Sequence, residues 1–505
     1  MRKNLTEDGM NGKELLRSYV EKFNANDDEQ NIQYVNNAAA YDFLADRIPL
    51  FECPDKDIEE TYYFRFWTLR KHIKHTDECG FVFTEFLFPV GWGGKYNTIV
   101  CAAAHHVNEA RWFADAPTYV ESYAAHYLEK KRNPHQYSSW LISALYDYCR
   151  MRGDFSFVLD RFEQLEEYFA EWENLKLTKS GLFWCIDNFD GMEYSISGTP
   201  TDTLKRQPGL RPTLNSYMYH GALTLSKIAD MKGLSDKAAY YREKAETLRE
   251  AIETRLWDGE FYKAIHAEDI NTVYDTNDIK PEQNARELIG YIPFIFGLGN
   301  EERAKKMFPL LTDPKVFLAK TGLTTADQSN PHFMYEAPHE CLWNGYIWPY
   351  ATAQTLDACT AVMNRYGNEI MSNEDFTMLL SQYAKMHHRV CEDGKVINWI
   401  DEEMDPYRLV WTTREWLYSD KFEPKYGDRD RGKDYNHSTF CDLVLHDLVG
   451  IEVEDGKPVL RPHIPDDWDY LRVENVHLLG KSYDITYDKT GEKYGVGKGW
   501  TIAER

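Results

Sequence analysis

LNSYMYHGALTLSKIADMKGLSDKAAYYREKAETLREAIETRL, residues 214–256, decides the fold class. Leu214, Met218, Ala222, Leu225 and Ala229 recur at three- and four-residue spacing, which puts them on one face of a helix. Gly233 ends that stripe. Ser235 is placed to cap a second helix, whose apolar face is Ala238, Tyr241, Ala245, Leu248, Ile252 and Leu256. Two helices joined by so short a turn form an antiparallel αα-hairpin.

The same pattern extends outward in both directions. Ser138 to Met151 carries Leu141, Leu145 and Tyr148 at helical spacing and stops at Gly153, a position suited to a left-handed C′ residue. Phe155 to Trp172 resumes with Val158, Phe162, Leu165 and Phe169. Further helices fit Asn300–Leu311, Trp348–Arg365 and Asn373–His388. Successive hairpins with no fixed repeat length predict a closed ring rather than a solenoid. The expected fold is all-α, an (α/α)6 toroid barrel of helical hairpins over residues 81–450. Residues 1–80 read as an N-terminal helical segment packing on it, with an extended stretch at Phe81–Pro89. Past Gly450, short β-like runs alternate with turns, which predicts a small C-terminal β segment over 451–505.

Bulk composition narrows the function. The 82 acidic against 58 basic residues leave a net charge of −24, which repels nucleic acid and anionic membrane. The nine cysteines are scattered, with no CxxC pair, and read as reduced thiols rather than a zinc site or disulfide framework. Met1–Asp8 lacks the apolar run of a signal peptide, so the expected location is cytoplasmic. Aromatic residues make up 14% of the chain; most would fill the core, leaving a few to stack on sugar rings.

Three loops could carry chemistry. Trp399-Ile400-Asp401-Glu402-Glu403-Met404-Asp405-Pro406 crowds four carboxylates beside an indole, an arrangement that favours protons, cations or acid/base work. Trp184–Ser195 places Asp187, Asp190 and Glu193 among aromatics. Glu340–Pro349 brackets an Asn-Gly turn with Trp343, Tyr346 and Trp348, and Pro349 suits the first turn of a helix. Glycoside cleavage needs two carboxyl groups, one to protonate the leaving oxygen and one opposite it. His105-His106, His387-His388 and His437 lack metal-ligand spacing. No phosphate-binding or serine-nucleophile motif is present, so neither a metal nor a cofactor is expected. Asp428–Asp434 reads as a solvated charged loop that could line a pocket beside Tyr435–Ser438.

These loops resemble, in order, those of the six-hairpin inverting glycosidases: glycoside hydrolase family 63, mannosylglycerate hydrolase and the trehalases. Gly191-Met192-Glu193-Tyr194-Ser195 resembles the family's Gly-[Trp/Met]-Asp-x-Ser, whose Asp is the general acid. Arg211–Asn215 is similar to Pro-x-Asp-Leu-Asn, Thr321–Thr325 to Gly-Ile-x-Thr-Ser, and Trp343–Pro349 to Trp-x-Gly-Pro-[Ile/Val]-Trp-Pro. Ile400–Pro406 resembles Ile-His-Glu-Asn-Tyr-Asn-Pro, whose Glu is the general base.

The resemblance implies an exo-acting, inverting hydrolase of a small glycoside, with Glu402 as base and Glu193 as acid. Their carboxyls should then lie roughly 6.5–9.5 Å apart. Glu193 stands where the family has Asp, which leaves Asp190 and then Asp187 as alternative acids. Asp187, Asp190, Asn215, Trp343, Asn344, Trp348 and Tyr96 are the expected substrate-binding residues. Met404, standing where the family has an aromatic, implies a different sugar subsite. A lyase or epimerase on the same barrel, using His105-His106, and a non-catalytic sugar-binding protein are the rival readings.

Overall fold

The structure, a computed structural model, describes residues 11–129, 134–199, 207–267, 285–423 and 427–505. Met1–Asp8 of the sequence reading lies outside them.

The deciding hairpin forms as helices Pro212–Met231 and Ser235–Arg255, which pack along their length. Every member of both predicted stripes is buried. Each large aliphatic side chain so buried contributes roughly 1.5–3 kcal/mol. Pro212 opens the first helix at a position where its missing N–H costs nothing. Ser235 does not cap the second: Leu234 holds the cap position without a side-chain bond, and Ser235 is already helical. The turn is made instead by Gly233 in the left-handed region, φ 72°.

The inner ring runs through Ala103–Ala110, Leu141–Arg152, Pro212–Met231, Ile292–Ile295, Pro349–Tyr366 and a π-helical turn Leu443–Leu448, each packed on the next. The ring closes where Glu109 Oε1 accepts the backbone N–H groups of Phe440, Cys441 and Asp442. Outer helices include Lys56–Lys71, Ala116–Leu128, Phe162–Lys176, Ser235–Arg255, Glu301–Met307 and Asn373–Met386. This is the (α/α)6 barrel.

Two expected helices are interrupted. Phe155–Trp172 breaks at Arg161 into Ser156–Asp160 and Phe162–Lys176. Asn300–Leu311 tightens to a 3₁₀ turn after Met307, where Pro309 removes a donor. The extended stretch at Phe81–Pro89 is a strand only as far as Gly80–Phe83.

The C-terminal residues form a sheet of Tyr470–Leu478, Lys481–Asp488 and Gly499–Glu504, beside a hairpin of Ile451–Glu454 and Lys457–Leu460. Its fourth strand comes from the other end of the chain. Leu50–Glu52 pairs antiparallel with Arg472–Glu474, so residues read as purely helical also supply a sheet edge. A three-residue strand carries too little periodicity to be seen in sequence.

Candidate active site

The loops that precede the inner helices gather at one mouth of the barrel and enclose a cavity of about 660 Å³. Glu85, Glu193, Glu340, Glu402 and Glu423 line it, with Trp92, Trp348, Trp416 and Phe422 among the aromatic walls. Both members of the expected acid/base pair therefore face one space. The Cys341 thiol, which lines it too, is pushed well above its ordinary value by burial and then by the charges of Glu402, Glu193 and Glu340.

The four carboxylates of residues 401–405 are not equivalent. Asp401 accepts from Arg414 Nε at 2.9 Å and Trp399 Nε1 at 3.3 Å. Gly432 packs so close that a Cβ there would overlap Asp401 Oδ1. Glu403 accepts from the Leu342 N–H at 2.7 Å and Thr412 Oγ1 at 3.1 Å. Asp405 holds the turn through the N–H groups of Tyr407 and Arg408 and the Arg408 guanidinium. Of the four, only Glu402 lines the cavity. Its Oε2 accepts from Cys341 Sγ at 2.9 Å, and its Oε1 has no partner. Burial pushes its carboxyl up to about 8, against the pull of Arg431 and the thiol.

Glu193 sits on a turn made of two left-handed residues, Gly191 (φ 72°) and Tyr194 (φ 59°). A tyrosine in that region costs about 1–3 kcal/mol, the kind of local strain that collects where a side chain must be aimed. Glu193 Oε1 accepts from Asn188 Nδ2 at 2.6 Å, and its carbonyl accepts the Trp343 N–H at 3.0 Å. Ile347 and Met404 exchange two backbone bonds of 2.9 Å, locking the aromatic loop to the Glu402 loop. Three loops distant in sequence are thus tied by backbone bonds.

The expected substrate-binding residues divide. Trp348 lines the cavity and stacks on Trp343 behind it, ring centroids 4.5 Å apart and planes 19° apart. Asn344 is buried, donating to the Tyr335 carbonyl at 2.8 Å. Asp187, Asp190, Asn215 and Tyr96 are not among the lining residues. Asp187 accepts from Thr199 and Ser195 hydroxyls. Asp190 pairs with Arg211 at 2.8 Å, both buried, and also accepts from Ser138 and Thr213. Asn215 clamps the Phe183 backbone from both sides, at 2.7 and 2.9 Å. Tyr96 donates to Glu78 at 2.5 Å. Met404 is fully buried in the loop pairing rather than at a subsite. His105 and His106 are not among the lining residues either, and His106 is bonded to Tyr123 and the Asn436 carbonyl.

Two lining residues carried weak signals or none. Arg431 comes from the charged loop and pairs with Glu340 across the mouth. Glu85 sits in the apolar run Phe81–Pro89; it accepts from Tyr435 and from Cys101 Sγ, and burial pushes its carboxyl up to about 8. Its acidity inside an otherwise apolar stretch was the available clue.

An (α/α)6 barrel with a carboxylate-lined mouth is the architecture of a glycoside hydrolase. The chain belongs to the mannosylglycerate hydrolase MGH1-like glycoside hydrolase domain family, whose model matches residues 95–438. Residues 451–503 match the C-terminal domain of glycosyl hydrolase family 65. Among solved structures, a sialidase is 34% identical with a TM-score of 0.86, over 98% of this chain and 43% of that one. An α-L-rhamnosidase from Dictyoglumus thermophilum is 13% identical over 88% of this chain and 43% of that one, TM-score 0.52. The mannosylglycerate hydrolase of Thermus thermophilus, in complex with Tris and D-glycerate, is 12% identical over 76% of this chain and 99% of that one, TM-score 0.51. This chain spans less than half the length of the first two. None of its described helices is long and apolar enough to cross a membrane.

Proposed function

We propose that the protein is an exo-acting, inverting hydrolase of small neutral glycosides, with Glu402 as general base and Glu193 as general acid. The observation that carries this reading is the singling-out of Glu402. Its three acidic neighbours are consumed by structural partners, while Glu402 lines a cavity shared with Glu193 and its buried Oε1 has no hydrogen-bond partner. In the proposed mechanism Oε1 takes a proton from a water that attacks the anomeric carbon, and Glu193 gives its proton to the departing oxygen. Burial raises the Glu402 carboxyl, so the base step should gain with pH as Glu402 ionises. Trp348, backed by Trp343, offers an apolar face to a sugar ring.

The charge of the lining supports a neutral substrate. Among the described lining residues, five glutamates face Arg431 and Lys421, and Arg431 is already paired with Glu340. Carboxylate recognition generally uses a planar bidentate Arg. Among the described residues, the walls offer no arginine cluster for a sialic acid or a glycerate, although relatives bear those names. A cavity walled by converging loops also suits a chain end better than the middle of a polymer.

The test is a screen of aryl glycosides and disaccharides, with proton NMR following the first-released sugar. The reading expects the inverted anomer. A retained anomer overturns the pair of roles, and sugar binding without cleavage supports a silent barrel instead.

A further inference from the structure

Under the aromatic floor of the active-site cavity lies a second, much smaller chamber, inside the ring of inner helices. His105 separates the two: its ring meets Trp140 and Tyr350 edge-on, each at 4.6 Å, and Tyr350 packs against Trp343. Helix Pro349–Tyr366 passes from one space to the other. Tyr350, Gln354 and Asp357 follow at helical spacing on its inner face, so Asp357 lies roughly 10 Å below Tyr350 along the axis. The chamber has room for about 10 Å³, the space of a single water or bare ion.

Two amide oxygens of its described lining lack hydrogen-bond partners, whereas Asp447 Oδ1 bonds with Thr360 Oγ1 and His446. Gln354 is 4% exposed; its Nε2 donates to Tyr217 Oη at 2.7 Å, which leaves Oε1 as the free end, buried and unbonded. Asn108 Oδ1 is likewise buried without a partner. Asp357 and Asp447 bring carboxylate oxygens within 4.8 Å of each other and of a His446 nitrogen. His446 is already held between Asp447 (Nδ1, 3.2 Å) and Glu452 (Nε2, 2.6 Å), so it orients Asp447 instead of filling the chamber. Asp442, on the same wall, is occupied by Arg111 and Trp112. His446 and Asp447 lie on the π-helical turn, the wider winding that often marks a functional position.

We propose that the chamber binds one oxygen-preferring metal cation, calcium in the first instance, through Asp357, Asp447, Gln354 Oε1 and Asn108 Oδ1. Two carboxylates plus two amide oxygens form a hard donor set, unlike the thiolate or imidazole sets that select zinc or copper. Asp447 is buried and Asp357 half-buried, and carboxylates so close repel each other unless a cation or proton lies between them; His446 offsets that repulsion in part. The free amide oxygens favour the cation, because a shared proton would leave both of them unsatisfied. The bound ion would join helix Pro349–Tyr366 to the π-helical turn and so latch the closure of the barrel. No sequence motif announces it, because the donors come from residues 108, 354, 357 and 447.

The experiment uses the full chain, purified, stripped with EDTA and dialysed. Titration with calcium chloride should show one site per chain in calorimetry, with the unfolding midpoint raised by at least ~2 °C at saturation. Asp357→Asn should abolish that site, while Asp46→Asn on the exposed surface should not. If Asp357→Asn fails to fold, metal analysis of the wild-type protein after calcium dialysis decides, with one equivalent retained as the expected result. An identical midpoint in EDTA and in calcium, with no bound ion, would overturn the proposal and leave the chamber to water. Preferential uptake of zinc would overturn the oxygen-donor assignment.

Discussion

Cys341 Sγ donates to Glu402 Oε2 at 2.9 Å, so the proposed base is held by a thiol on one oxygen, while the other is buried without a hydrogen-bond partner. A donor to a carboxylate favours its charged form. Cys341→Ala should therefore raise the Glu402 pKa and move the acid limb of kcat/KM to higher pH, with Cys341→Ser restoring it. An unmoved limb in the alanine variant would mean that the thiol does not tune the base.

Arg431 acts in the same direction through space, lowering the Glu402 value that burial raises. Arg431→Met should displace the acid limb upward, and Arg431→Lys should recover part of the shift. Arg431→Met also takes the ion-pair partner from Glu340, so KM is measured beside the pH profile to separate the effects.

Asp190 and Glu193 make opposite predictions. Asp190 is buried against Arg211, and breaking such a pair costs about 3–5 kcal/mol because it leaves a buried charge unmatched. Asp190→Asn should lower the unfolding midpoint markedly. Glu193→Gln should leave the midpoint near wild type while slowing cleavage, least for glycosides with activated aryl leaving groups. A stable but inactive Asp190→Asn would transfer the acid role to Asp190.

Stability should respond to pH through Glu402. Its folded pKa of about 8 lies above the unfolded value near 4.5. Its contribution to stability is then fully present below about 4.5 and is lost as pH rises through about 8. Glu402→Gln removes the group that must ionise in the interior. The variant should gain stability over wild type at pH 8 and little at pH 4, by thermal unfolding. Equal differences at the two pH values would place the Glu402 pKa near its ordinary value.

Substrate charge gives an independent check. A carboxylate-bearing glycoside should show kcat/KM at least ~10-fold below that of its neutral counterpart, since its anion meets a glutamate-lined wall. Reversal of that order would contradict the neutral-substrate reading.

The barrel was legible because hairpin stripes such as Leu214–Ala229 keep their period wherever the partner helix lies. The site was legible only in part. The run at 401–405 marked a loop that reaches the cavity, yet nothing local separates Glu402 from Asp401 or Glu403, whose partners Arg414, Leu342 and Thr412 are set by tertiary packing. Asn215 and Asp190 drew notice through polar character near motif positions, but that polarity serves buried backbone and an ion pair. Glu85 went unread because the tyrosine that holds it lies 350 residues away. The chamber at Asp357 and Asp447 was hidden for the same reason.

The most direct measurement is turnover by Glu402→Gln, set against Asp401→Asn and Glu403→Gln, on whichever glycoside the wild-type protein cleaves. The account predicts that folded Glu402→Gln loses activity by about 10²–10⁴-fold, with a midpoint no lower than wild type, while the neighbours lose stability first. Full turnover by Glu402→Gln would contradict it.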